Sequence, residues 1–179
     1  MRAAPILFSL VATTVSASKA LHYTIPNNFK ALASNCTLPA EFVVTNFTTF
    51  TDKNDDSLNT VCFQFSDPDT KILTTCQRNS TSTPSGPSKN IYGCDDASIA
   101  FIYQTTGIAG LTLTEKVCSS AGNPKFEASG LITPELDCTD TSTGTLCHAK
   151  QESIQGDFDS LEPIPPKAPT RRARGAWRG

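Results

Sequence analysis

Seven cysteines, two histidines and three close-set aspartate groupings are the side chains from which a nucleophile, a metal centre or an acid–base pair would have to be built. The cysteines are Cys36, Cys62, Cys76, Cys94, Cys118, Cys138 and Cys147. No two are spaced as CxxC, and His22 and His148 stand far apart, so zinc and thioredoxin-type redox chemistry both lack their usual spacing. His148 directly follows Cys147. Neighbouring strand residues point to opposite faces, which keeps that imidazole from serving as base to that thiol. Asp55-Asp56, Asp67 with Asp69, and Asp95-Asp96 offer paired carboxyls, which a glycosidase holds about 5–10 Å apart across a cleft. Each grouping sits beside turn residues, and Asp67-Pro68-Asp69-Thr70 reads as a type I turn whose Asp accepts local backbone hydrogen bonds. The DxDxDG spacing of a calcium loop is missing, as are GxSxG and HExxH. The expectation is a protein with no catalytic residues, no metal and no cofactor.

The cysteines make better sense as structural bridges, because the N-terminus reads as an export signal. Arg2 precedes an apolar stretch over residues 3–15, and the small residues Val15, Ser16 and Ala17 supply a signal-peptidase pattern. Cleavage after Ala17 is expected, giving a signal peptide over residues 1–17, with Ala20 as the other candidate site. The stretch is shorter than the roughly 20 apolar residues a membrane span needs, and no later segment approaches that length. A secreted, soluble, extracellular chain follows, and in that compartment disulfides persist. Seven is an odd number, so at least one thiol is free or bonded to another chain. Sequons at Asn35, Asn46 and Asn79 agree with a secretory route as N-glycosylation sites.

The elements that must hold these groups are strands. Residues 42–50, 58–65, 71–76, 98–103, 111–117, 126–131, 145–149 and 153–158 are short β-branched or aromatic runs separated by turn residues. Val61, Phe63 and Phe65 share one face, while Leu111, Leu113 and Val117 oppose Thr112, Thr114 and Lys116. With 24 Thr and 17 Ser among 179 residues and no helical periodicity over three turns, the chain reads as all-β, a single antiparallel barrel or sandwich stapled by disulfides. Strict alternation would put Asn46 on the face of Phe42 and Val44, where a glycan has no room. A bulge between Val44 and Phe47 would turn Phe42, Val44 and Phe47 inward together and leave Asn46 in solvent.

The domain spans about residues 36–160. Residues 78–90 form a polar, proline-containing loop between Cys76 and Cys94, and residues 161–179 read as a disordered tail, Pro-rich and then basic. Residues 35–166 hold 17 acidic and 7 basic side chains, whereas residues 167–179 hold five basic ones and no acid. The tail reads as a solvated extension near the acidic body, a nucleic-acid or cell-surface anchor, or a processing site at Arg171, Arg172 and Arg174. The acidic body itself would repel phosphate, so nucleic acid is not the expected partner.

Cys36, the FxVxxF run at residues 42–47, the alternating Phe63 and Phe65, Thr74-Thr75-Cys76, Tyr92-Gly93-Cys94, Phe101, Leu111-Thr112-Leu113, Cys138 and Cys147 follow one another in a familiar order. This pattern resembles the fungal Alternaria alternata major-allergen-like domain family over about residues 36–158. The resemblance implies a small secreted fungal β-barrel of the elicitor or effector type, without catalytic residues. A thaumatin-like plant defence protein is the partner it implies. It also implies the bridges Cys76–Cys94 and Cys138–Cys147, the second closing a loop of eight residues, and it matches Cys36 to a cysteine that links two subunits. Cys62 and Cys118 are additions to the family pattern. Cys36 then either closes on Cys118, leaving Cys62 as the odd thiol, or links a homodimer through a disulfide. The function expected is binding of a host apoplastic protein by outward residues such as Thr49, Thr51, Thr112, Thr114 and the Asp95-Asp96 corner. The alternatives are a cell-wall structural or carbohydrate-binding protein and, third, a small secreted hydrolase.

Overall fold

The computed structural model describes residues 20–25, 27, 30–33, 36–85, 90–119 and 125–165. The expected signal peptide, the Asn35 sequon and the basic residues Arg171, Arg172 and Arg174 lie outside them. A single helical turn, α1 (Lys30–Ala33), precedes the strands β1 (Glu41–Asp52), β2 (Thr60–Asp67), β3 (Ile72–Arg78), β4 (Tyr92–Gly93), β5 (Ile99–Gln104) and β6 (Gly110–Val117). There follow β7 (Phe126–Ile132), β8 (Leu136–Asp140), β9 (Gly144–Ala149), β10 (Ser153–Asp157) and β11 (Ser160–Pro163). No helix of the described residues is long and apolar enough to cross a membrane.

The strands form two antiparallel sheets. The first runs β3-β2-β1-β9-β8 with β10 also on β1, and the second runs β11-β7-β6-β5-β4. They do not close into a barrel, so of the two expected architectures the sandwich is the one adopted. Period-two alternation drives the layers together. Inward residues of β1, β2, β5, β6 and β7 bury Phe42, Phe47, Phe63, Phe65, Phe101, Leu111, Leu113 and Phe126 to 2% exposure or less. The ring of Phe63 in the first sheet meets that of Phe101 in the second edge-on, with centroids 5.0 Å apart.

The bulge expected in β1 is present and does more than turn Asn46 out. Pairing with β2 runs Val43↔Ser66, Val44↔Phe65 and Thr45↔Gln64, then resumes at Thr48↔Cys62, so two residues oppose Phe63. Asn46 is exposed at φ 55°, and Phe42, Val44 and Phe47 are all buried. On its other edge β1 pairs with β10 over residues 41–45 and with β9 from Thr48 to Asp52. The kink is therefore where β1 passes from one neighbour to the next. Asn tolerates the left-handed region better than any β-branched residue, for which it costs about 1–2 kcal/mol. Asn46→Val should lose about that much stability in urea unfolding, while Asn46→Gly should stay within about 0.5 kcal/mol of the wild type. Both variants remove the sequon, so equal losses would mean that the backbone conformation is not what the position requires.

Several expectations need correction. Leu161 does not begin a disordered tail: β11 pairs with β7, Leu161 is 7% exposed, and the Ile164 N–H bonds the Lys125 carbonyl at 2.9 Å. Residues 166–179 lie outside the described residues. Strand β2 starts at Thr60, because Asp55 caps a 3-10 turn at Asp56–Leu58 by accepting from the Ser57 N–H, and Leu58 is left 45% exposed. Strands β4 and β8 were not expected. Four of the five β8 residues are exposed, so it carries no alternation to detect.

Candidate binding face

The three disulfides join Cys36 to Cys118, Cys76 to Cys94 and Cys138 to Cys147, with Cα atoms 5.3, 4.2 and 4.0 Å apart. Cys62 is left unbonded and exposed. With Cys36 engaged inside the chain, the thiol that remains for any contact with a second molecule is Cys62. Its place follows from the ladder. Gln77, Cys62, Thr48, His148 and Asp137 are successive cross-strand partners across β3, β2, β1, β9 and β8, so they line one row of the outer face. Sequence spacing gives no hint of this alignment of a thiol, an imidazole and a carboxylate. Thr48 stands between Cys62 and His148, and two strand spacings amount to about 9.5 Å, well beyond the hydrogen-bond reach a nucleophile and its base require. Cys147 is held by Cys138 and paired with buried Thr49, so it faces away from His148 as alternation requires.

A more shaped feature lies where the two sheets meet. Cys76 on the edge strand β3 makes a bridge with Cys94, which follows β4 in the other sheet, and their disulfide locks the corner. The Asp95 N–H bonds the Thr75 carbonyl at 2.9 Å, and the Asp96 N–H bonds the Thr74 hydroxyl at 2.9 Å. Asp96 in turn accepts from the Ser98 N–H and hydroxyl at 2.8 and 2.6 Å. The Asp96 carboxyl is thereby held on the surface, and the backbone of Asp95 is fixed next to it, both beside Leu73, an apolar side chain 76% exposed. Gln64, Leu73, Thr74, Thr75, Asp95 and Asp96 line a groove of about 480 Å³.

The expected contact residues divide. Asp95 and Asp96 belong to the groove, and Thr51 is exposed but on the far end of β1. Thr112 and Thr114 are half-buried on the outer face of the second sheet, paired to Ile102 and Ala100. Thr49 is a correction. It is 6% exposed and points inward, because the bulge at Asn46 shifts the alternation of every later residue in β1 by one. Leu73 was missed, though a leucine on the polar face of a strand is a signal the alternation contains. At Asn79 the side-chain oxygen accepts from the Thr81 N–H and hydroxyl at 3.0 and 2.7 Å, so that sequon forms a tight turn at the head of the polar loop. Asp67 and Asp55 accept local backbone hydrogen bonds, as turn aspartates should.

No group of three or more metal-ligating side chains occurs among the described residues. No curated protein matches the sequence. The family model described as Alternaria alternata allergen 1 matches residues 44–156, from the middle of β1 to within β10, which is more than half of the chain and nearly all of the sandwich. The bridges Cys76–Cys94 and Cys138–Cys147 are those the resemblance implies, whereas Cys36–Cys118 departs from the intersubunit link it implies for Cys36, and a disulfide-rich domain of this kind is consistent with an extracellular protein. The chain belongs to the Alternaria alternata allergen 1 family.

Proposed function

We propose that the chain is a secreted fungal effector or elicitor that acts without catalysis, by binding a protein of the host plant's apoplast. The observation that carries this reading is Leu73, 76% exposed on the strand whose Cys76 is tied to the opposite sheet, with Asp95 and Asp96 lining the same groove. An apolar side chain left in solvent among carboxylates has little to gain in isolation. Against a basic partner with an apolar pocket it supplies an anchor, and the acidic rim supplies attraction and register. The charge of the body works the same way, with 17 acidic against 7 basic side chains over residues 35–166. A thaumatin-like defence protein is the partner to test first.

The immobilised full-length protein should retain such a partner from plant apoplastic fluid and release it as salt rises from 50 to about 500 mM, as expected of a contact steered by charge. Leu73→Ser combined with Asp95→Asn and Asp96→Asn should weaken that binding roughly tenfold or more while the variant still unfolds in one cooperative step. Undiminished retention by the triple variant would move the binding face elsewhere. Retention on chitin or glucan, with none from apoplastic fluid, would favour the cell-wall reading instead.

A further inference from the structure

The sandwich interior holds an acid pair that the binding face does not use. Glu115 on β6 is fully buried, with Ile99 of β5 and Ala128 of β7 as its ladder partners, and Asp67 at the end of β2 is 1% exposed. Asp67 Oδ1 accepts from the Asp69 and Thr70 N–H groups at 2.6 and 3.2 Å. Its Oδ2, both carboxyl oxygens of Glu115 and the Thr70 hydroxyl are buried without a partner. Asp67 and Thr70 are the side chains that act on the Glu115 carboxyl most directly. Two facing carboxylates offer acceptors to acceptors; the Thr70 hydroxyl supplies one donor for the three unpartnered carboxyl oxygens, and one proton is the smallest group that supplies a second.

We propose that Glu115 and Asp67 share one proton in the folded protein, and that this proton makes the corner built by Asp67, Thr70, Tyr23 and Ala40 tight in acid and loose in alkali. Burial and the neighbouring acids favour the protonated form and outweigh the Thr70 hydroxyl, which favours the ionised one. Tyr23, whose hydroxyl bonds the Pro39 carbonyl at 2.7 Å, packs against the core, and its phenol is held well above its ordinary range by burial and by Asp67, Glu115 and Asp69. Asp69 accepts from the Ala40 N–H at 3.1 Å, and Asp96 adds a further negative charge from the turn between β4 and β5. Burial and then the charge of Asp67 push Glu115 up to about 8.

An acid that holds its proton more tightly when folded contributes stability in acid and loses it as pH rises. The loss begins near the unfolded value of about 4.5 and is complete above about 8, where the folded protein must bury two carboxylates. The Tm of the full chain should therefore fall by on the order of 5–10 °C between pH 5 and pH 9. Amide exchange at Ala40 and Thr70 should accelerate with it. Glu115→Gln carries a permanent donor and should flatten the profile, ending more stable than the wild type at pH 9. Should that variant not fold, Asp67→Asn keeps Oδ1 for the turn and supplies the donor from the other side. In the wild type, the carboxyl carbon of Glu115 observed by NMR should still report a protonated acid at pH 6. An unchanged wild-type Tm, the same slope in either amide variant, or an ionised Glu115 at pH 6 would overturn the proposal. So would Ca²⁺ restoring at pH 9 the stability seen at pH 5, since the four oxygens would then hold a cation and not a proton.

Discussion

Phe42→Ala is expected to lower the unfolding free energy by about 3–5 kcal/mol. Phe42 is fully buried, with its ring centroid 5.0 Å from that of Phe158 and 6.0 Å from that of Phe65. Its ring lies against two glycines. A Cβ at Gly130 would meet the Asp157 carbonyl oxygen and stand 2.8 Å from Phe42 Cε1, and one at Gly156 would stand 2.6 Å from Phe42 Cε2. The walls of that slot are backbone held in both sheets, so they cannot collapse into the space a truncated side chain leaves. The expected cost is accordingly that of a retained cavity and not of lost transfer alone. Urea unfolding should show a lower midpoint at an unchanged slope. A loss below about 1 kcal/mol would mean that the interior repacks freely and that the aromatic contacts are incidental.

Removing the Cys36–Cys118 bond should cost about 4–5 kcal/mol, the largest loss among the three bridges. The bond spans 82 positions and ties the segment before β1 to the end of β6, so its absence restores a long loop to the unfolded chain. Cys138–Cys147 spans 9 positions within the β8–β9 hairpin, and its removal should cost about 2–3 kcal/mol. The comparison uses Cys36→Ser with Cys118→Ser against Cys138→Ser with Cys147→Ser, read by the same unfolding midpoints. Equal losses, or a larger loss for the hairpin pair, would contradict the argument from loop length.

Sequence legibility tracked how regular each element's alternation is. Val61, Phe63 and Phe65 declare the buried face of β2 outright, and the conflict between a glycan at Asn46 and a core at Phe42 requires the bulge. The burial of Thr49 is a direct consequence of the same bulge, because the alternation after Asn46 runs one residue out of step. Strand β8 was invisible because its stability comes from pairing with β9 and from Cys138, not from an apolar face. Glu115 was legible in principle. Leu111, Leu113 and Val117 share a face opposite Thr112, Thr114 and Lys116, and alternation places Glu115 with the leucines; a charge there contradicts the usual rule for cores and so hides the position. Leu73 and Asp95-Asp96 could not be joined from the sequence, because the contact that unites them is a bridge between the edges of two sheets.

The decisive measurement is thiol labelling of the unreduced protein followed by peptide mapping. One alkylated cysteine, Cys62, is expected, together with the linked peptides Cys36–Cys118, Cys76–Cys94 and Cys138–Cys147 and a monomeric mass that reductant leaves unchanged. A labelled Cys118, or a Cys36 peptide recovered joined to a second Cys36, would contradict a sandwich closed within one chain and return the subunit link to the N-terminal cysteine.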